Sequence, residues 1–89
     1  MVERKKPDPE IYLKVQSLLK VSGKECVAFE DSSHGLNAAK NAGMYGVAIP
    51  NQFTREHDFS KADRVIKSFN EVSREMLLRM VSASEISPD

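Results

Sequence analysis

Two adjacent carboxylates, Glu30 and Asp31, follow directly on the apolar run Cys26-Val27-Ala28-Phe29, and Ser32, Ser33 and Gly35 come immediately after them. In open α/β sheets ligands bind outside the carboxyl ends of the strands. Two acids at such a point make a hard-oxygen site suited to magnesium, which takes one or two protein carboxylates and fills its other positions with water and substrate phosphate. Ser32 and Ser33 are helix-capping residues, and the N-terminus of a helix behind them adds positive potential near a phosphate. Gly35 lets the backbone come close. The plainer reading of the same residues is a polar strand-to-helix turn capped by Asp or Ser. On residue types alone both readings stay open.

The second group that could do chemistry is Lys6-Pro7-Asp8-Pro9. Two prolines around one residue hold the segment stiff and extended and then launch a helix. A lysine just before such a segment is held in a defined direction, which suits a point charge placed on a phosphate. Taken in isolation, Lys6 reads more simply as a solvated lysine on a basic tail.

These residues need elements to position them. Asp8 as N-cap, Pro9 at the first helical position and Glu10 at the positive end of the dipole predict a helix start. Ile11, Val15, Leu18 and Leu19 give it an apolar stripe, and Gly23 is the expected stop near Val21. Cys26 to Phe29 reads as a buried strand, and a second helix follows from about His34 to Ala42, ended by Gly43. Tyr45 to Ile49 reads as a second strand closed by Pro50-Asn51. The stretch 52–62 is polar loop or a short helical turn, and Asp63 to Ile66 is a short third strand. Ser68 and Glu71 stand at capping-box spacing before a last helix striped by Val72, Met76, Leu77 and Met80, and Ser82 to Asp89 reads as a frayed, flexible tail.

Strands alternating with helices predict an α/β fold with a short parallel sheet and helices on its faces. No interior linker or repeat stands out, so residues 1–89 are treated as one unit. The apolar strand around Val27 is of the kind that has neighbours on both sides. The chain offers only two other strands, so one sheet edge is expected to lack a partner.

Charge is balanced, with 13 basic and 13 acidic residues, which gives no electrostatic reason to expect nucleic acid or an anionic membrane as partner. No apolar run approaches the ~20 residues of a membrane span, and the charges at the N-terminus have no apolar stretch behind them to form a signal peptide. The single cysteine, Cys26, excludes a disulfide framework and a thiolate metal site. It reads as a small buried hydrophobe rather than a reactive thiol, in keeping with a reducing, cytoplasmic setting.

At the two polar segments the sequence resembles a known family. Lys6-Pro7-Asp8-Pro9-Glu10-Ile11-Tyr12 is similar to the third motif of haloacid-dehalogenase-type hydrolases. The run from Phe29 to Met44 (Glu30-Asp31-Ser32-Ser33-His34-Gly35 at its head) is similar to their fourth. The likeness is greatest to the phosphatase and beta-phosphoglucomutase branch and covers roughly residues 5 to 70. It implies a partial Rossmann-like, three-layer fold and a magnesium-dependent phosphatase or phosphomutase acting on a small phosphorylated metabolite. In this resemblance Lys6 neutralises the phosphate and the attacking carboxylate. Asp31 binds magnesium through its side chain, Glu30 binds the same ion directly or through water, and Ser32 and Gly35 shape the phosphate loop. An aspartate attacks phosphorus, and lysine and magnesium stabilise the charge on the transferring group.

The chain departs from that pattern in one serious way: no Asp-x-Asp, the family's nucleophile motif, occurs anywhere in it. The Ser or Thr of the second motif and the substrate-selecting cap have no room before Lys6 either. The strand that should carry the nucleophile would lie beside the strand at Val27, where the bare edge is expected. The resemblance therefore implies the C-terminal part of a longer enzyme, inactive or nearly so alone. The alternative is a non-catalytic interaction or regulatory module, pairing through its open sheet edge with a separate N-terminal chain or with itself. An unrelated α/β domain with chance motif matches is the third reading.

Other residues that invite chemistry have simpler explanations. His34 reads as a first-turn helix residue and His57 as a solvated loop residue. Met44, Met76 and Met80 read as core, and Arg55, Lys61 and Arg64 as solvated charges. Asn51 is expected near the rim of the site, where it is open to a substrate contact.

Overall fold

The computed structural model describes residues 9–85. Helix α1 spans Glu10–Leu19, with Pro9 at its N-cap position. Asp8, the expected cap, lies outside the described residues. The helix ends at Lys20, which takes the left-handed conformation (φ 58, ψ 44) and turns its N–H back to the carbonyls of Gln16 and Ser17. Gly23, expected as the stop, instead opens a short 3-10 turn, Gly23–Glu25, with a reciprocal capping box between Ser22 and Glu25. A glycine is needed there for a different reason. A Cβ at Gly23 would sit 2.6 Å from the Gly43 carbonyl oxygen and 2.8 Å from that of Ala42.

The apolar stripe of α1 does not face the core. Ile11, Leu18 and Leu19 are 64%, 72% and 65% exposed. The helix docks instead through Tyr12, half-buried against Ala28, Ala39, Ala42 and Met44, and through the buried Gln16. Gln16 Nε2 donates to the Ala42 carbonyl at 3.0 Å. A polar residue occupies the inner face because the carbonyls at the end of the next helix have no partner within that helix.

Strands β1 (Val27–Glu30), β2 (Tyr45–Ala48) and β3 (Arg64–Val65) form a parallel sheet in the order β1-β2-β3. The register pairs Val27 with Tyr45 and Glu30 with Ala48. Cys26 precedes β1 rather than belonging to it. It is half-buried, with its thiol 3.4 Å from the Ser22 carbonyl. Helix α2 spans Ser33–Asn41, and Gly43 leaves it at φ 81, the backbone region that favours glycine. Helix α3 spans Arg74–Glu85. The tail expected from Ser82 is therefore helical as far as Glu85. Residues 86–89 lie outside the described residues.

The capping assignment before α3 also shifts. Ser68 caps a 3-10 turn, Phe69–Glu71, and Glu71 Oε2 accepts the Lys67 N–H at 2.6 Å. Ser73 Oγ accepts the Met76 N–H at 3.0 Å at the start of α3. The Ser68-to-Glu71 spacing thus marks the 3-10 turn and not the start of the helix.

Strand alternation sorts the core into two halves. Ala28 packs with Ala39, Ala42 and Met44 beneath α1 and α2. Val47, Ile66 and Met80 pack with Val27, Phe29, Tyr45, Val72 and Met76 on the α3 side. The result is a three-layer α/β arrangement: α1 and α2 on one face of the sheet and α3 on the other. Gly46 makes the α2 contact possible, because a Cβ there would lie 2.6 Å from Leu36 Cδ1. Among the described residues β1 pairs with β2 alone, so its other edge is bare, as the sequence predicts.

Candidate functional site

The acids stand where the sequence puts them, at the carboxyl end of β1. Glu30 is its last residue, and Asp31 and Ser32 form the two-residue bend into α2. Ser32 is the N-cap, its Oγ accepting the Gly35 N–H at 3.1 Å. The Glu30 side chain points to the α2 face of the sheet and lies against Gly35, where a Cβ would overlap its carboxylate. The close approach permitted by this glycine is thus made by a side chain of the site itself.

Asp31 is exposed, and its Oδ2 accepts the Asn51 side-chain amide at 3.1 Å. Glu30 and Asp31 border one open concavity of about 260 Å³ together with Phe29, Ile49 and Phe69. Its floor is apolar, with the Phe29 and Phe69 rings 5.3 Å apart between centroids and tilted by 48°. The concavity is lined by two acidic residues and three apolar ones.

Ser33 is the first residue of α2, and its backbone N–H donates to His57 Nδ1 at 3.1 Å. His57, expected to be solvated, is half-buried and fills this position at the helix N-terminus. Its ring stacks on Phe59 with centroids 6.0 Å apart. His34 is exposed on the first turn of α2, as expected. Asn51 reaches the site rim but turns its amide to Asp31. Asn51 with Thr54 three residues later is the pattern of the side-chain-closed turn that holds it, though not of its contact with Asp31. Lys6, the expected phosphate lysine, lies outside the described residues.

Glu30 and Asp31 are oxygen donors of the type a hard divalent cation takes, but two acids do not complete a coordination shell. No group of three or more His, Cys, Asp or Glu is placed to hold a metal among the described residues. The arrangement can contribute two carboxylates, a helix N-terminus and a capped serine to a site whose other ligands are water, substrate or further polypeptide.

Residues 1–49 match the family model described as haloacid dehalogenase-like hydrolase. The chain belongs to the haloacid dehalogenase-like hydrolase family. Among its relatives, Protein CbbY of Cereibacter sphaeroides is 44% identical over 72 residues, covering 81% of this chain and 31% of the relative. The beta-phosphoglucomutase of Bacillus subtilis (strain 168) is 35% identical over 72 residues, covering 81% of this chain and 30% of the relative. The crystal structure of CbbY from Rhodobacter sphaeroides in complex with phosphate superposes with a TM-score of 0.74 at 45% identity, over 80% of this chain and 32% of that one. The chain spans about a third of the length of the curated relatives it matches. The parallel α/β arrangement of the sheet agrees with these haloacid dehalogenase-like structures. Among the described residues no helix is long and apolar enough to cross a membrane.

Proposed function

We propose that this chain supplies the magnesium and phosphate half of a phosphoryl-transfer site in a haloacid dehalogenase-like phosphatase or phosphomutase acting on a small phosphorylated metabolite. The observation that carries this reading is the placement of Glu30 and Asp31 side by side at the carboxyl end of β1, next to the capped N-terminus of α2. The residues fit the ion. A carboxylate offers about four lone-pair sites, and the Asn51 bond to exposed Asp31 uses one of them. The Glu30 carboxylate is seated on Gly35, in the first turn of α2.

When bound, magnesium supplies positive charge to the oxygens of the transferring phosphoryl group. Asp31 would hold the ion through its side chain, and Glu30 would hold it directly or through water. Ser32, while its Oγ accepts from Gly35, keeps its hydroxyl proton to donate to a phosphate oxygen. Lys6, carried over from the resemblance, neutralises the phosphate. The chain contains no Asp-x-Asp, so the attacking aspartate comes from polypeptide outside it. That a CbbY similar to this chain was solved in complex with phosphate supports a phosphate ligand for the reading.

The edge of β1 that is unpaired among the described residues, and the exposed stripe of Ile11, Leu18 and Leu19, support a partner for this chain. That partner is the polypeptide that carries the nucleophile strand. Self-association through the same edge is the second reading, supported by the exposed Ile11, Leu18 and Leu19.

The test is magnesium-dependent hydrolysis of a generic aryl phosphate by the 89-residue chain, with Asp31→Asn as control. No turnover above the control is expected. Turnover that requires both magnesium and Asp31 would mean that another residue of this chain supplies the nucleophile or that water attacks directly, and the half-site reading would be abandoned.

A further inference from the structure

We propose that Asn51 is a positioning residue for the Asp31 carboxylate, an inference that rests on the magnesium reading above. The orientation of its amide follows from its neighbours. Asn51 Oδ1 lies 2.8 Å from the Phe53 nitrogen, 3.1 Å from the Thr54 nitrogen and 3.2 Å from Thr54 Oγ1. Two of these partners are backbone N–H donors, so the end of the amide facing them is the carbonyl oxygen. The NH₂ end is therefore the one facing Asp31, with Nδ2 to Oδ2 at 3.1 Å. The turn is locked from the other side as well, since the Asn51 backbone N–H donates to Thr54 Oγ1 at 2.9 Å.

The loop that carries Asn51 is anchored a second time. The His57 N–H donates to the Thr54 carbonyl at 2.8 Å, and His57 Nδ1 accepts the Ser33 N–H at 3.1 Å. One loop therefore grips the acid bend at Asp31 and at Ser33, on either side of the Ser32 cap. Asn51 and Asp31 are both exposed, so their bond contributes little to the stability of the fold. What it restricts is the rotamer of a carboxylate that would otherwise sample several. A donor on one carboxylate oxygen fixes the direction of the remaining lone pairs, as outer partners do for metal ligands.

The experiment uses the 89-residue chain and manganese as a paramagnetic probe of a hard divalent site. Asn51→Ser keeps a hydroxyl that can still accept from the turn but cannot reach Asp31. Manganese dissociation constants are read from broadening of the Asp31 to Ser33 amide resonances, alongside thermal unfolding. The expected result is about tenfold weaker manganese binding, at the lower end of the loss typical for an outer partner of a metal ligand, with an unchanged unfolding midpoint. Equal affinity in the variant and the unsubstituted chain would overturn the proposal. If the unsubstituted chain binds no manganese, the magnesium reading of these acids fails. Positioning is then decided without metal, by the Asn51 side-chain amide resonances, which are expected to move on Asp31→Ala. Resonances that stay in place would overturn it.

Discussion

The carboxylate of Glu30 rests against the Cα of Gly35, in the space that any side chain at position 35 would claim. The site acid and the first turn of α2 are therefore matched to each other. Gly35→Ala should leave the fold intact, because the obstructing atoms belong to the far end of a flexible side chain. Alanine in place of helical glycine should add up to about 1 kcal/mol. The displaced Glu30 carboxylate should at the same time weaken manganese binding. Urea unfolding and a manganese titration of one variant separate the two effects, and the account expects stability and binding to move in opposite directions.

The same substitution at Gly23 should behave differently. Its Cβ would meet backbone atoms, with the Gly43 oxygen at 2.6 Å and the Gly43 carbonyl carbon at 2.7 Å. No rotamer can relieve that contact, so Gly23→Ala should cost about 1–3 kcal/mol, the usual range for overpacking. Chemical denaturation checks this, and a neutral result would mean that the 3-10 turn can move away from the end of α2.

Gln16 joins α1 to the end of α2 through its amide. Gln16→Leu preserves much of the volume but leaves the Ala42 carbonyl without that donor. Leaving a buried polar group unsatisfied costs about 1–3 kcal/mol. The loss should appear as a lower urea midpoint with an unchanged slope.

The exposed face of α1 predicts association of the isolated chain. Ile11, Leu18 and Leu19 lie together on one helix and are mostly uncovered, and apolar patches of this kind seek partners. Sedimentation velocity should show a species that grows with concentration, and an Ile11→Lys/Leu18→Lys double variant should sediment as a monomer. A wild-type chain that stays monomeric throughout would show that this face needs no cover.

Asp58 carries a local pH dependence. Its carboxyl is held below the ordinary aspartate value, first by the Ser60 backbone N–H and then by the Ser60 hydroxyl, with Lys61 adding attraction. A depressed carboxyl favours the folded turn above its ordinary value, and that contribution is lost as the pH falls through the lower, folded value. The Ser60 amide resonance should therefore shift in acid, at a pH below the normal aspartate range. Asp58→Asn, which can still accept from Ser60, should abolish the shift.

Much of the site could be read from the sequence because its parts are local. The apolar run before Glu30, the Ser32 cap and the stop at Gly43 are neighbours in the chain, and each places itself. Contacts between distant segments were harder to see. His57 reads as solvated until the loop brings it to Ser33, 24 residues earlier in the chain. Asn51 reads as a rim residue until its amide is found on Asp31, 20 residues earlier. The stripe on α1 is legible as apolar, but Ile11, Leu18 and Leu19 stay exposed. Periodicity reports that a face is apolar, not whether the covering surface lies within the same chain. The end of α1 was misplaced because Lys20 adopts a left-handed conformation that glycine more often takes.

The most direct test of the central claim is a transplant. The 89-residue chain replaces the matching segment of CbbY from Rhodobacter sphaeroides, and aryl phosphate hydrolysis is measured with and without magnesium. The account predicts magnesium-dependent turnover in the chimera. Asp31→Asn should lower that turnover at least about 100-fold, the scale of losing one preorganised charge interaction at a transition state. A folded chimera whose turnover is unaffected by Asp31→Asn would contradict the assignment of these acids to phosphoryl transfer.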